Sequence, residues 1–234
     1  SIEEITELHE EGEISDECLA IIEDIDKISQ VLSQLQDADI PVLWRPLHEA
    51  SNGYFWWGRD VDAYKWLWQL LYERQTNYHN LNNLIWVWSA QNDDWYVGDN
   101  YCDLLSVDIY DRGNYSGQIN RLLFLRDISD KKPAAIGECG NFPYIQNIAD
   151  EKAEWAYIGQ WGGNFLLNED GSLNEEYNTE DSLIEMYNNN LTITRDELPD
   201  LQSMAEELEQ QETAQEQSEA QNDSSEEASE SEEA

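Results

Sequence analysis

The chain has 234 residues, which is long enough to bury a sizeable hydrophobic core. It carries 51 acidic residues against 12 basic ones, a formal net charge of -39 at pH 7. A chain this acidic repels nucleic acid and anionic membranes, so we expect neither as a partner. An uncharged polymer, such as a neutral polysaccharide, would not be repelled.

The cysteines and the start of the chain give few constraints. Cys18, Cys102 and Cys139 are odd in number and widely spaced, so the sequence predicts neither a disulfide framework nor a cysteine metal site. No apolar run approaches the roughly 20 residues that a membrane helix requires, and no signal segment opens the chain. Because the chain begins at Ser1 without methionine, we expect a processed or partial chain.

Helical and extended patterns alternate along the chain. Residues 19–35 place apolar side chains at the spacing of an amphipathic helix. Residues 60–72 show the same spacing, and Asp60 is a suitable N-cap for this second helix. A third helix is predicted at 119–128, and residues 152–157 lead from a helix into the last strand. Apolar runs predict five strands: 41–44, 84–88, 104–110, 133–138 and one that ends near Trp161.

This alternation predicts parallel β/α units, and the near-continuous apolar strands are typical of a sheet covered on both faces. In a (β/α)8 barrel, the carboxyl ends of the strands form the active-site face. Polar or aromatic residues follow each predicted strand, so we expect them to converge there. These residues are 45–49, 89–92, 108–111, Glu138, and Trp161 with Asn164.

The composition changes near residue 197. No Lys or Arg follows Arg195, and Glu, Ser, Gln and Ala dominate. Such a segment buries too little apolar surface to offset the entropy lost on ordering. We therefore expect a folded, aromatic-rich domain over residues 1–198 and a disordered acidic tail or linker over residues 199–234, with no partner identified for the tail.

The most informative segment is PVLWRPLHE at residues 41–49, followed by NGYFWWG at residues 52–58. Sugars stack their flat C–H faces on aromatic rings, so four consecutive aromatic residues beside Glu49 indicate a carbohydrate cleft. The alternative is that these rings belong to the barrel core. That alternative fits a single tryptophan well, but fits the whole loop poorly, because the loop adjoins Arg45 and His48.

A second carboxylate, Glu138, ends the apolar strand in AIGECG. Alone it is a weak signal, since many strands end in an acid that caps the next helix. Together with Glu49 it indicates a catalytic pair, because glycoside hydrolysis requires two carboxylates that flank the scissile bond. Retaining enzymes hold the two about 5–5.5 Å apart.

The ordered motifs RPLHE, FWWG, WVWS, VDIYD, IGECG and WGGNF make residues 21–198 resemble glycoside hydrolase family 26. The resemblance implies a (β/α)8 TIM barrel of which strands 4 to 8 are present. It also implies a retaining endo-β-1,4-mannanase, or a mixed-linkage β-glucanase or β-1,3-xylanase of the same family. Glu49 would be the acid/base and Glu138 the nucleophile. The resemblance implies a secreted or cell-surface protein acting on a β-mannan-type polysaccharide.

The resemblance implies roles for further residues. His48 would shape the site beside Glu49, and Tyr110 would hydrogen-bond the nucleophile. Tyr54, Trp57 and Trp161 would contact the sugar, although Tyr54 stands where the family often has Trp. The pattern HExxH is absent, so we expect no catalytic metal, and we expect no cofactor.

The strand before Glu49 would be the fourth of the barrel, preceded here by one predicted helix and a short acidic segment. An open five-stranded sheet would expose two strand edges. We therefore expect the chain alone to be poorly stable and inactive unless the first three strands are supplied. A glycan-binding remnant that does not cleave is the rival interpretation; the retention of both glutamates argues against it.

Overall fold

The computed structural model describes residues 1–198 together with residues 200, 203, 204 and 210. It divides the chain into two compact units, Ser1–Leu183 and Ile184–Ala234. The predicted acidic tail, 199–234, lies outside the described residues apart from those four positions. The boundary expected at residue 198 therefore stays a prediction.

Five strands and six α-helices organise the described residues. Each of the five predicted strands is confirmed, within two residues at either end. The strands are β1 (Val42–Trp44), β2 (Leu84–Trp88), β3 (Leu104–Ile109), β4 (Ala134–Cys139) and β5 (Ile158–Gln160). The helices are α1 (Ile2–Glu10), α2 (Asp16–Gln36), α3 (Val61–Glu73), α4 (Ile119–Ile128), α5 (Ile145–Glu151) and α6 (Glu180–Tyr187).

The sequence patterns predict the bounds of α2, α3 and α4 to within three residues, but give no bounds for α1, α5 or α6. Asp60 caps α3 as predicted, because its side chain accepts a hydrogen bond from the backbone N–H of Ala63 at 2.8 Å. Helix α1 was not predicted, so two helices rather than one precede β1. Its signal was present as a capping box, in which Ser1 and Glu4 satisfy each other's backbone N–H groups. None of the helices in the described part of the chain has the length and apolarity needed to span a bilayer.

The five strands form one parallel sheet in the order β1-β2-β3-β4-β5, as the β/α alternation predicts. Consecutive parallel neighbours joined by crossovers are the arrangement of a (β/α)8 barrel wall. The core lies where α3 and the sheet meet, and its largest fully buried side chains include Trp68, Trp88, Leu105 and Ile136. The predicted partial barrel, with five of eight strands, is confirmed.

The outer strands of this sheet each have one paired neighbour among the described residues. β1 pairs with β2 on one side, and β5 pairs with β4. Leu43 in β1 is 51% exposed and Val31 in α2 is 53% exposed, although both are apolar. This flank therefore has the character of a surface that a further β/α unit covers in a complete barrel.

An ion cluster fastens α2 to the turn that follows α3. Arg74 donates two hydrogen bonds to the Asp26 carboxylate, at 2.5 and 2.6 Å, and His79 Nε2 lies 2.7 Å from Asp26 Oδ1. The side chains of Asp26 and Arg74 are only 14% and 9% exposed. Burial acts to raise the pKa of Asp26, but the hydrogen bonds from Arg74 and His79 outweigh it and hold the pKa below its ordinary value.

We expect Asp26→Asn to lower the free energy of unfolding by about 3 kcal/mol at pH 7, because it leaves the Arg74 guanidinium buried without its counter-charge. Asp24→Asn is the matched control: Asp24 pairs with Lys27 at the exposed surface, so its loss should cost less than about 1 kcal/mol. Urea denaturation measures both. Because the pKa of Asp26 is depressed, its contribution is present above about pH 4 and disappears as the pH falls further. Equal losses in the two variants would contradict this account.

Candidate active site

The carboxyl ends of the strands bring three acidic side chains together. Glu49 lies five residues after β1, Asp108 lies in β3, and Glu138 lies in β4. One carboxylate oxygen from each lies within 4.8 Å of the others. Glu49 and Glu138 therefore lie on the same face of the sheet, within reach of a single glycosidic bond, at a separation compatible with the retaining geometry.

A β-bulge sets the direction of Glu138. Val107 pairs with Ile136, but the next residue of β3, Asp108, pairs with Glu138, so Gly137 is the extra residue in β4. A bulge of this kind changes the direction of the side chains that follow it. A Cβ on Gly137 would lie 2.8 Å from the Asp108 carboxylate, so only glycine fits the bulge without displacing that group.

Arg45 connects two of the three acids. Its guanidinium forms an ion pair with Asp108 at 3.1 Å and donates a second, short hydrogen bond to Glu138 Oε1. The Asp108 side chain is only 1% exposed, and that burial raises its pKa to about 7 although Arg45 opposes the shift. Burial also acts to lower the pKa of Arg45, but Asp108 and Glu138 outweigh it and raise that pKa. One fixed positive charge therefore holds the buried acids in place.

Tyr110 holds the other oxygen of Glu138. Its hydroxyl donates a hydrogen bond of 2.7 Å to Glu138 Oε2. Burial and this hydrogen bond raise the pKa of Tyr110 well above its ordinary value, so the phenol keeps its proton and remains a donor. Because Arg45 and Tyr110 engage opposite oxygens, the Glu138 carboxylate has a fixed orientation.

The loop that carries Glu49 has an uncommon backbone. Leu47 and Glu49 both have φ of +51°, a left-handed conformation that non-glycine residues rarely adopt. The backbone N–H of Glu49 donates to the carbonyl of Ser89 at 2.7 Å, which ties the loop to the end of β2. A Cβ on Gly58 would lie 2.1 Å from the Ala50 carbonyl oxygen, so the aromatic segment can approach this loop only because residue 58 is glycine.

His48 lies in an aromatic cluster beside Glu49. Its ring is 4.7 Å from that of Phe55, which stacks on Trp57 at 4.4 Å. The indole N–H of Trp57 donates to the His48 carbonyl at 2.9 Å. Burial, followed by the charge of Arg45, lowers the pKa of His48, so its imidazole is neutral at pH 7. The interactions of Trp57 are thus mainly within the loop.

Three other aromatic rings face solvent near the strand ends. Tyr54 is 82% exposed and Trp161 is 47% exposed, as expected for stacking surfaces. Trp161 lies next to the nucleophile candidate, because its backbone N–H donates to the carbonyl of Cys139 at 2.9 Å. Trp56 is 59% exposed, and the sequence analysis did not select it from the FWWG motif.

The sequence analysis also missed part of the support beneath the acids. Gln91 donates to Ser89 Oγ at 2.9 Å and accepts from the backbone N–H of Asp108 at 3.0 Å. Ser89 Oγ in turn lies 3.3 Å from the Asp108 carboxylate. The available signal was the polar run directly after β2, but its contact with the next strand end could not be read from spacing alone.

The three carboxylates have a geometry that could hold a divalent cation. However, the Arg45 guanidinium already pairs with Asp108 and Glu138. A cation placed there would meet that positive charge at close range and would compete for the same oxygens. The donor set therefore favours charge pairing by arginine over metal binding.

The chain is similar in sequence to curated proteins named as mannan endo-1,4-beta-mannosidases. Mannan endo-1,4-beta-mannosidase from Thermothelomyces thermophilus is 42% identical over 181 residues, which are 76% of this chain and 36% of that protein. Mannan endo-1,4-beta-mannosidase A from Piromyces is 39% identical over 76% of this chain and 28% of that protein. The chain thus spans about a third of the length of these curated relatives.

Solved structures show the same fold. The GH26-CBM35 β-(1,4)-mannanase of Podospora anserina has a TM-score of 0.73 and 39% identity, over 80% of this chain and 41% of that one. A β-mannanase from a symbiotic protist of the termite Reticulitermes speratus, complexed with gluco-manno-oligosaccharide, has a TM-score of 0.72 and 36% identity, over 79% and 56%. Residues 3–197 match the sequence model of glycosyl hydrolase family 26, and the chain therefore belongs to that family.

Proposed function

We propose that this chain supplies both catalytic carboxylates of a retaining endo-β-1,4-mannanase, with Glu138 as nucleophile and Glu49 as acid/base. The proposal is carried by one observation: these two glutamates, from separate strand ends, have oxygens within 4.8 Å of each other. The substrate class, β-1,4-linked mannan, follows from the relatives, which are mannan endo-1,4-beta-mannosidases. Glucomannan and galactomannan share the same backbone linkage.

Glu138 is suited to attack because two donors fix its carboxylate. Arg45 and Tyr110 each donate a hydrogen bond to one of its oxygens, which holds the carboxylate in a fixed orientation toward the cleft. In the first step a carboxylate oxygen forms a bond to the anomeric carbon as the glycosidic C–O bond breaks. The product is a glycosyl-enzyme ester, with the leaving oxygen protonated in the same step.

Glu49 is suited to donate that proton. Its side chain is only partly buried and is held on the loop beside neutral His48, so it faces the cleft without a fixed cationic partner among the described ion pairs. After the leaving sugar departs, Glu49 is a carboxylate and removes a proton from water. That water attacks the anomeric carbon, releases Glu138 and restores the starting protonation.

The surrounding rings are suited to a neutral sugar chain. Tyr54, Trp56 and Trp161 expose flat faces near the strand ends, while His48 and Trp57 shape the wall beside Glu49. A polymer without charge avoids repulsion by a chain of net charge -39. Activity on an extracellular polymer requires a secreted or cell-surface protein, which we propose for the parent enzyme.

We expect Glu138→Ala to reduce kcat on mannan by about 10⁴-fold or more, because no covalent intermediate can form. The measurement is reducing-sugar release by the parent enzyme with its barrel complete, on a panel of mannan, lichenan and xylan. Glu23→Ala, at an exposed acid in α2, should keep wild-type activity. Near-normal mannan hydrolysis by Glu138→Ala would refute the assignment of Glu138 as nucleophile. Faster cleavage of lichenan or xylan than of mannan by the wild type would show that mannan is not the preferred substrate.

Glu49→Ala should separate the two steps. We expect a loss of about 10³-fold on mannan but a much smaller loss on an aryl mannoside, whose leaving group needs no proton. Azide should restore turnover of the aryl substrate, since it attacks the intermediate without a general base. Equal losses of kcat on mannan and on the aryl mannoside, with no recovery in azide, would show that Glu49 is not the acid/base.

Tyr110→Phe tests the support of the nucleophile. We expect kcat to fall by about 10–100-fold with little change in thermal stability, because one charge-assisted hydrogen bond to Glu138 is lost while the ring remains. Tyr78→Phe, which removes a hydroxyl far from the cleft, is the matched control. Wild-type kcat in Tyr110→Phe would show that the contact is structural.

A further inference from the structure

A groove lies at the opposite end of the sheet from the three carboxylates. It has a volume of about 660 Å³ and is open to solvent, and its lining residues fall between Leu122 and Ala156. From the cations and the indole that converge on it, we propose that this groove is a second binding site, for a pyranoside that carries a single carboxylate, such as a uronic acid unit. Nothing in this proposal depends on the catalytic roles of Glu49 and Glu138.

The position of the groove separates it from the cleft. Pro133 and Ala134 lie where β4 begins, and Trp155 and Ala156 precede β5. Glu138, in contrast, lies near the carboxyl end of β4. Four strand residues at about 3.3 Å each, plus the side chains at both ends, place the two sites roughly 15–20 Å apart. A ligand in the groove therefore leaves the cleft free.

The groove collects cations in a chain that has few. Arg126, Lys131 and Lys132 line it, which is three of the 12 basic residues in the whole sequence. Arg126 lies 3.8 Å from Glu154, and Lys131 lies 3.9 Å from Asp99. These separations exceed hydrogen-bond distance, so neither ion pair occupies the donors fully. The donors remain available to a carboxylate.

An aromatic wall gives the groove a second recognition element. Trp155 is partly exposed, and its indole N–H donates to the Gly117 carbonyl at 2.9 Å, which fixes the orientation of the ring. Pro133 and Ala156 add apolar surface beside it. A held indole with an accessible face is suited to stack on the C–H face of a pyranose ring.

The acids in the groove narrow the ligand class further. Asp130 and Glu154 line it together with the three cations, so the lining charges are of both signs. The Asp130 carboxylate can accept hydrogen bonds from sugar hydroxyls, while both acids repel a polyanion such as a nucleoside triphosphate. A ligand with one carboxylate, several hydroxyls and an apolar ring face satisfies the cations, the acids and the indole together.

Titration calorimetry of the parent enzyme, with its barrel complete, tests the proposal with methyl glucuronide as the ligand. Methyl glucoside and acetate are probes that each lack one feature. We expect methyl glucuronide to bind at least about tenfold more tightly than either. If methyl glucoside bound as tightly as methyl glucuronide, the ligand's carboxylate would not be recognised. If acetate bound as tightly, the sugar ring would not be recognised. Either result would overturn the proposed ligand class. No binding of methyl glucuronide would overturn the whole proposal.

Two variants and one control assign the binding to this groove. Lys132→Gln should weaken methyl glucuronide binding about fivefold to tenfold, because a charge-assisted hydrogen bond is lost. Glu154→Gln, at a side chain 85% exposed, should strengthen it, since Arg126 is released from a competing anion. Lys27→Gln removes the same charge from the surface of α2 and should change nothing. Equal weakening by Lys27→Gln and Lys132→Gln would show a general charge effect and overturn the site.

Discussion

The arrangement of the site depends on one guanidinium group. Arg45 reaches from the end of β1 to Asp108 in β3 and Glu138 in β4, and so joins three strands through a single positive charge. Without it, two nearly buried carboxylates would face each other beside a third, and like charges so close cannot all stay ionised. Arg45 therefore makes it possible to concentrate acidic groups at this end of the sheet, and it fixes the side chain on which the proposed chemistry depends.

The order of strands and helices was predictable because hydrophobic periodicity is a local property. The run from Leu84 to Trp88 is too short and too apolar for anything but a covered strand, and Asp60 marks the start of α3 by its own hydrogen bond. The pairing of Glu49 with Glu138 was also predictable, since the ends of parallel strands meet at one edge. Helix α1 was missed because its few apolar residues, Ile2, Ile5 and Leu8, stand among acidic ones, and none of its side chains is buried.

The finer geometry could not be predicted, because it depends on contacts between distant residues. The bulge at Gly137 follows from the register of β3 against β4, which no pattern within either strand specifies. Gln91 supports Asp108 from a neighbouring strand end, and the left-handed backbone of Glu49 exists because Ser89 anchors it. For the same reason the prediction selected Trp57, whose N–H is used within the loop, and left out Trp56, which faces solvent.

The two proposed catalytic glutamates belong to parts of the sheet that differ in local stability. Glu138 extends from a strand paired on both sides, whereas Glu49 and Arg45 follow β1, which has three residues and, among the described residues, one paired neighbour. Local opening of so short an edge requires much less free energy than global unfolding. Such fraying would displace Glu49 and Arg45 together while the remaining four strands kept their structure. A strand that paired with the other edge of β1 would therefore control whether Glu49 and Glu138 are brought together, although it need not touch any substrate.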